Sequence, residues 1–169
     1  ENDDGSTLAT KETTFKEWYT NIFKPEYIKT SKGSSTPLNR IQIHSYYPSG
    51  NPKEVSMSEG SKTTYLWGYS DKYPIAKIQN ASYAQVLSAL GGSFNAGSGG
   101  LTSTQNNNLR TISGALVTTY AYTPLVGTTT VTDPRGIATN YIYDEFNRLK
   151  NIKDDDLKLI EEYLYNYKY

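Results

Sequence analysis

The chain has no cysteine, a single histidine (His44), one methionine and no net charge, because seventeen basic side chains cancel seventeen acidic ones over 169 residues. Without cysteine there are no disulfides and no thiolate nucleophile, although the compartment is left open. One imidazole and no thiolate leave a zinc site without its usual ligands. Balanced charge gives no long-range field to draw in nucleic acid or an anionic membrane, so neither is expected as a partner. No apolar run approaches the roughly 20 residues that a membrane-spanning helix needs. Glu1 to Ser6 lack the basic and apolar regions of a signal peptide. The chain therefore reads either as cytoplasmic or as a mature or internal piece of something longer.

Against these absences stands an excess of tyrosine. Sixteen tyrosines accompany four phenylalanines, so much of the buried surface must carry hydroxyl groups that need a partner or a route to solvent. Sheets with one wet face provide both. A mainly β, antiparallel chain of hairpins is expected, with two short α-helices inserted at about 80–113. Residues 1–12 are polar and are expected to form a flexible N-terminal segment, leaving 13–169 as a single β domain. Between Thr13 and Ile28 the spacing of Phe15, Trp18, Tyr19, Ile22 and Phe23 fits a helix, but threonine, aromatics and Pro25 favour strand and turn. Arg40 to His44 alternates as a strand that buries Ile41 and Ile43. Asn80 can cap a helix bearing Tyr83, Val86, Leu87 and Leu90, ended by Gly91-Gly92. Gly91 to Gly100 reads as a flexible connector, and Thr104 as the cap of a second helix through Leu109 and Ile112. Neither helix is long enough to stand alone, so both should pack on the sheet.

The most patterned stretch runs from Tyr120 to Tyr167. Thr128, Thr130 and Thr132 alternate with Thr129, Val131 and Asp133, and Asp133-Pro134-Arg135-Gly136 has the chemistry of a turn. Tyr141 and Tyr143 share a strand face up to Asp144-Glu145-Phe146-Asn147-Arg148-Leu149, where Asn147 can take a left-handed conformation. Tyr163, Tyr165, Tyr167 and Tyr169 are expected on one face of a last strand. Tyr141, Tyr143, Asp144, Arg148 and Leu149, with Asp133 and Gly136 from the preceding turn, resemble the Rhs/YD-repeat family, whose repeats place Tyr-Asp, two residues and Gly-Arg-Leu after a tyrosine and a glycine. The chain departs from that pattern at Asn147, where glycine is usual, and at Leu157, where a turn glycine is expected after Asp156. An offset of 97 residues lays Tyr46 on Tyr143, Gly50 on Asn147, Val55 on Ile152 and Gly60 on Leu157, so residues 41–66 read as a degenerate earlier copy. Tyr65-Leu66-Trp67-Gly68-Tyr69, followed by Tyr73-Pro74-Ile75-Ala76, is similar to the Rhs-like proteins of Bacteroidetes.

That resemblance, which covers about two thirds of the chain, implies a non-enzymatic structural or scaffold domain. It would be an open part of the hollow β shell that such repeats wind into, and the C-terminal piece of a larger exported polypeptide with no toxin domain after Tyr169. A secreted or cell-surface location follows, reached across the outer membrane by a type IX system. Partners are then expected among the rest of the same polypeptide, a secretion or surface complex, or the outer-membrane translocon during export. A gliding-related adhesin and part of a toxin-encapsulating shell are the alternatives it carries. The aromatic residues carry another: Trp18, Trp67, Tyr69 and Tyr73 are the candidate ligand or partner surface of a glycan-binding module. The plainer reading is that these rings pack hairpins together.

No motif selects a catalytic centre, a metal or a cofactor. His44 would have to serve any Ser-His-Asp triad, yet no Gly-x-Ser-x-Gly elbow is present, and a structural or exposed role is expected. An acid and a hydroxyl beside His44 in a cleft would contradict that expectation. Asp154-Asp155-Asp156 lacks the spacing and bidentate glutamate of a calcium loop and reads as a solvated turn. No pair among the seventeen acids is singled out for glycoside hydrolysis. Gly97-Ser98-Gly99-Gly100 lacks the lysine and hydroxyl residue that end a phosphate loop, and reads as a linker.

Overall fold

The computed structural model describes residues 8–58 and 60–166. Those residues form one open antiparallel sheet of eleven strands, each lying beside its neighbours in sequence. β1 (Ala9–Tyr19) and β2 (Ile22–Lys32) lead to β3 (Leu38–Tyr46), β4 (Pro52–Met57), β5 (Lys62–Gly68) and β6 (Tyr73–Gln79). Helices α1 (Tyr83–Ala89) and α2 (Ser103–Arg110) intervene before β7 (Leu116–Thr123), β8 (Gly127–Thr132), β9 (Ala138–Tyr143), β10 (Leu149–Lys153) and β11 (Leu159–Glu162). The mainly β expectation holds. In the first hairpin, the residues whose spacing fits a helix alternate along two strands instead. Pro25 is tolerated there because it faces Phe15 at a β-bulge, a site that does not require its missing N–H.

Four hairpin turns share one geometry. In each, the first residue's N–H bonds the carbonyl four residues on, and the fourth residue's N–H bonds back to the first residue's carbonyl. These turns are Tyr47–Asn51, Asp133–Ile137, Asp144–Arg148 and Asp154–Lys158. The fourth residue is left-handed in all of them: Gly50, Gly136, Asn147 and Leu157 have φ of 84°, 89°, 61° and 63°. This is the three-residue loop closed by a residue at positive φ. Leu157 therefore occupies the glycine position and the last hairpin forms around it. The offset of 97 holds for the first turn, since Tyr47, Gly50 and Asn51 do what Asp144, Asn147 and Arg148 do. It ends at the next turn, where the left-handed residue is Ser58 (φ 53°), two positions before Gly60.

A second regularity joins each hairpin to the one before. Odd strands end, and even strands begin, at the same end of the sheet. The Tyr46 hydroxyl at the end of β3 donates to Pro25 O in β2 (2.9 Å), and Trp67 Nε1 in β5 donates to Pro52 O in β4 (2.9 Å). Tyr122 in β7 donates to Pro74 O in β6 (2.9 Å), Tyr143 in β9 to Thr128 O in β8 (2.9 Å), and Tyr165 beyond β11 to Leu149 O in β10 (2.8 Å). Five times, an aromatic ring covers the start of the preceding strand while its polar tip satisfies a backbone carbonyl there. Burial pushes the Tyr46 and Tyr122 hydroxyls up from their ordinary value, so both remain neutral donors. Tyr143→Phe is expected to lower stability by about 0.5–1.5 kcal/mol, the usual net worth of such a bond. Tyr141→Phe, whose hydroxyl has no bonding partner among the described residues, is expected to stay within about 0.5 kcal/mol. Urea unfolding of the two variants checks the difference.

The apolar core lies over the middle of the sheet. Leu66, Ile75, Ala76, Ile78, Ala81, Val86, Leu109 and Val117 form one cluster, each no more than 2 % exposed. Strands β5 to β7 supply its floor, and Val86 of α1 and Leu109 of α2 its roof. Both helices start on capping boxes, Ser82 with Gln85 and Thr102 with Gln105. Asn80 and Thr104 are therefore not the caps, because neither has a glutamine three residues on to complete the box. Beyond the helices the sheet is a single layer that leaves Phe15 and Phe23 largely exposed.

Three further expectations are corrected. Ala9 to Glu12 are not part of a flexible segment: they pair with Lys29 to Lys32, and an edge strand wet on both faces needs no apolar alternation. Residues 1–7 of that segment lie outside the described residues. The connector 91–100 is free only in part, since Gly99 O and Gly97 O accept the N–H groups of Tyr69 (2.9 Å) and Ser70 (2.7 Å). A Cβ on Gly68 would land on the Gly99 carbonyl, which is why glycine stands there. The last strand ends at Glu162, before the tyrosines expected along it. The backbone N–H of Tyr163 still donates to Lys150 O (2.9 Å), while Tyr167 and Tyr169 lie outside the described residues.

Candidate functional site

The helix-bearing face of the sheet continues beyond the helices as a polar surface. Cross-strand pairing aligns Tyr27, Gln42, Ser56 and Lys62 in one row across β2 to β5. The adjacent row runs Glu54, Thr64, Ile78 and Val117, so it becomes apolar as it passes under the helices. The first row stays open. It floors a cleft of about 570 Å³ whose lining includes Leu38, Arg40, Gln42, His44, Ser56 and Lys62.

His44 lies two residues after Gln42, on the same face of β3, and so borders this cleft. Ile43 pairs with Val55 and Ser45 with Glu54, so His44 is the bulged position. Its Nε2 lies 2.9 Å from Ser56 Oγ, and that hydroxyl also reaches the Ser58 carbonyl (3.4 Å). Glu54, only 8 % exposed, accepts from Lys62 Nζ (2.7 Å) and from the Tyr83 N–H (2.6 Å) at the start of α1. Burial pushes the Glu54 carboxyl up. The bonds from Lys62 and Tyr83, with the charges of Lys62 and His44, outweigh that and hold it below its ordinary value. Glu54 thus fastens α1 to the sheet within the electrostatic reach of His44.

The His44 imidazole and the Ser56 hydroxyl therefore meet in the cleft, with the Glu54 carboxylate within electrostatic reach of the ring. Two features set them apart from an acyl-transfer centre. Ser56 lies within β4 with β3 and β5 on either side, so the surrounding backbone serves the ladder and does not form an oxyanion hole. The Glu54 carboxylate is spent on Lys62 and Tyr83, and no bond from it orients the His44 ring. What remains is a set of hydrogen-bonding groups around an open space. The Gln42 amide donates to the Tyr27 hydroxyl (3.0 Å), and Arg40 Nε to Thr30 Oγ1 (2.8 Å). Sequence reasoning missed Tyr27, Glu54, Ser56 and Lys62. The only signal for them is the alternation Glu54-x-Ser56 and Lys62-x-Thr64, and it becomes a site only through strand register.

The four aromatic residues of the candidate surface are not gathered into one. Trp18 packs edge-on against Tyr46 (5.2 Å) and donates to Lys24 O (3.3 Å), and Trp67 makes the tie to Pro52. The two tryptophans stand four strand spacings apart, about 19 Å. Tyr69 and Tyr73 do meet, 5.6 Å apart at 90°, with Tyr122 stacked on Tyr73 at 4.8 Å. Their hydroxyls accept the Tyr122 and Leu125 N–H groups (3.0 and 3.3 Å), so this cluster locks the β6–β7–β8 corner. Tyr69 also lines a smaller cleft of about 310 Å³ with Thr102, Asn106, Thr119 and Thr130.

The motif residues lie in the turns. Asp133 Oδ1 accepts from the Arg135 and Ile137 N–H groups, and Asp144 Oδ1 from those of Phe146 and Arg148. The Arg148 side chain returns to Asp144 Oδ2 (2.6 and 2.8 Å) and lies over the Phe146 and Tyr165 rings. Hydrogen bonds from Arg148, and for Asp133 from Ile137, hold both carboxyls below their ordinary value. The carboxylates of Asp154, Asp155 and Asp156 part company, to the Lys158 N–H, the Ala138 N–H and the Lys158 ammonium. The chain matches no protein-family model and no curated protein.

Proposed function

We propose that the chain is a non-enzymatic scaffold segment of a secreted or cell-surface protein, built on YD-like hairpins and assembled with the rest of a larger exported polypeptide. One observation carries this reading: aromatic side chains, tyrosine four times and tryptophan once, join each hairpin to the one before it. Side chains spent on joining strands build surface and perform no reaction. The reading is tested on the purified chain with a fluorophosphonate probe and a panel of ester and glycoside substrates. No labelling and no turnover are expected, and labelling abolished by Ser56→Ala would overturn it. Antibody staining of intact source cells is expected to be positive, and signal only after permeabilisation would contradict export.

The cleft favours a second reading, in which the scaffold also holds a small polar ligand such as a glycan residue. Its volume falls within the range of ligand pockets, roughly 300–1,000 Å³. Because His44 is the only histidine, its ring resonances report on the cleft without ambiguity. A shift of those resonances on adding a sugar supports binding, and an unchanged spectrum across neutral and acidic sugars removes it.

A further inference from the structure

Edge strands are usually protected from self-association, and β1 is an edge strand eleven residues long. A row of lysines would repel a second copy. β1 instead carries Lys11-Glu12 and, five residues later, Lys16-Glu17. In an antiparallel ladder, directly opposed residues share the same hydrogen-bonding state. Two copies of one edge can therefore pair only when residues of equal parity face each other, with the two-fold axis passing through a residue position. Centred on Thr14, Lys11 faces Glu17 of the second copy and Glu12 faces Lys16. No other alignment of equal parity sets all four charges opposite an unlike charge. Alignments centred on Lys11, Glu12, Lys16 or Glu17 oppose like charges, and those centred on Thr13 or Phe15 pair no charges at all.

We infer that β1 is a homodimerisation edge, on which a second copy of the chain pairs antiparallel about Thr14 and continues the sheet. Two further observations fit that occupant. Glu12 and Lys16 already have partners on β2, Lys29 at 3.8 Å and Glu26 at 3.3 Å. Pairing extends these into a ladder of alternating sign: Lys29, Glu12, then Lys16 and Glu26 of the second copy. Phe15 is 63 % exposed, and the same alignment brings it opposite Thr13 of the second copy and diagonal to the other Phe15, within reach of an aromatic side chain. The pairing needs only residues 11–17, which precede the bulge at Trp18; the irregularity between Thr14 and Phe15 has its extra residue, Glu26, on β2 and leaves the β1 register continuous.

Sedimentation equilibrium on the full chain tests this. Wild type is expected to reach twice the monomer mass as its concentration rises through the micromolar range. Lys11→Glu and Glu17→Lys each set like charges opposite each other twice per dimer, and each alone is expected to self-associate about tenfold more weakly or worse. Mixed in equal amounts, the two variants are expected to dimerise again, because Glu at position 11 of the first then faces Lys at position 17 of the second, and Glu17 of the first faces Lys11 of the second. Damage to folding cannot produce that recovery. Wild type that remains monomeric at several hundred micromolar overturns the inference. So do single variants that dimerise as well as wild type, and a mixture that does not recover.

Discussion

Leu66→Ala is expected to remove about 2–5 kcal/mol of stability, the range for truncating a fully buried leucine whose neighbours cannot collapse into the space. The neighbours here have little freedom. Leu66 is fully buried on β5, opposite Ala76 on β6, beneath a roof held by Val86 and Leu109. Both helices are short and rely on this floor, so the cavity also loosens α1 and α2. A small domain is stable by only about 5–15 kcal/mol, which makes the loss a large share of the whole. The same truncation at Leu159, 56 % exposed on β11, is expected to cost within about 0.5 kcal/mol. Chemical denaturation of both variants measures the contrast, and equal losses at the two sites would mean that the core is not confined to the middle of the sheet. Hydrogen exchange should show the same gradient, slowest in β5 to β7 and fastest in β1 and β11.

That gradient also explains what could be read from the residues alone. The strands were legible wherever side chains alternate, as at Arg40 to His44, and the turns wherever Asp, Asn or Gly mark a left-handed position. Leu157 could not be read as such a position, because leucine pays a steric penalty at positive φ that only the fixed register of its hairpin offsets. The helix caps were displaced by two residues because asparagine and threonine are good caps in isolation, while the box that decides between neighbours depends on Gln85 and Gln105. The cleft was hidden for a different reason. Tyr27, Gln42, Ser56 and Lys62 come from four strands spread over 36 positions, and they align only because each hairpin has its particular length and bulge. Tyrosine abundance was visible in the composition, but its use as a strand-to-strand tie becomes visible only once the odd strands are seen to end where the even strands begin.

Removing the Glu54 carboxylate should be the most damaging change at the polar end of the sheet. Glu54→Ala strips the Tyr83 N–H of its acceptor and Lys62 of its partner, for an expected loss of about 1–3 kcal/mol at neutral pH. Glu54→Gln keeps one acceptor oxygen and is expected to lose less. The sign of the pH dependence follows from the direction of the shift. The folded-state carboxyl lies below its ordinary value of 4.5, so its contribution is fully present above that pH. It is lost as the pH falls from there through the folded-state value. Asp133 and Asp144 are shifted the same way and add to the acid limb. Wild type should therefore lose stability as the pH falls below about 4.5, and the gap between wild type and Glu54→Ala should narrow over the same interval. Urea midpoints of the two proteins at pH 7 and pH 3 decide the matter. A gap that stays constant would mean that Glu54 acts through its shape and not its charge. A gap that narrows ties the seating of α1 to one ionised carboxylate.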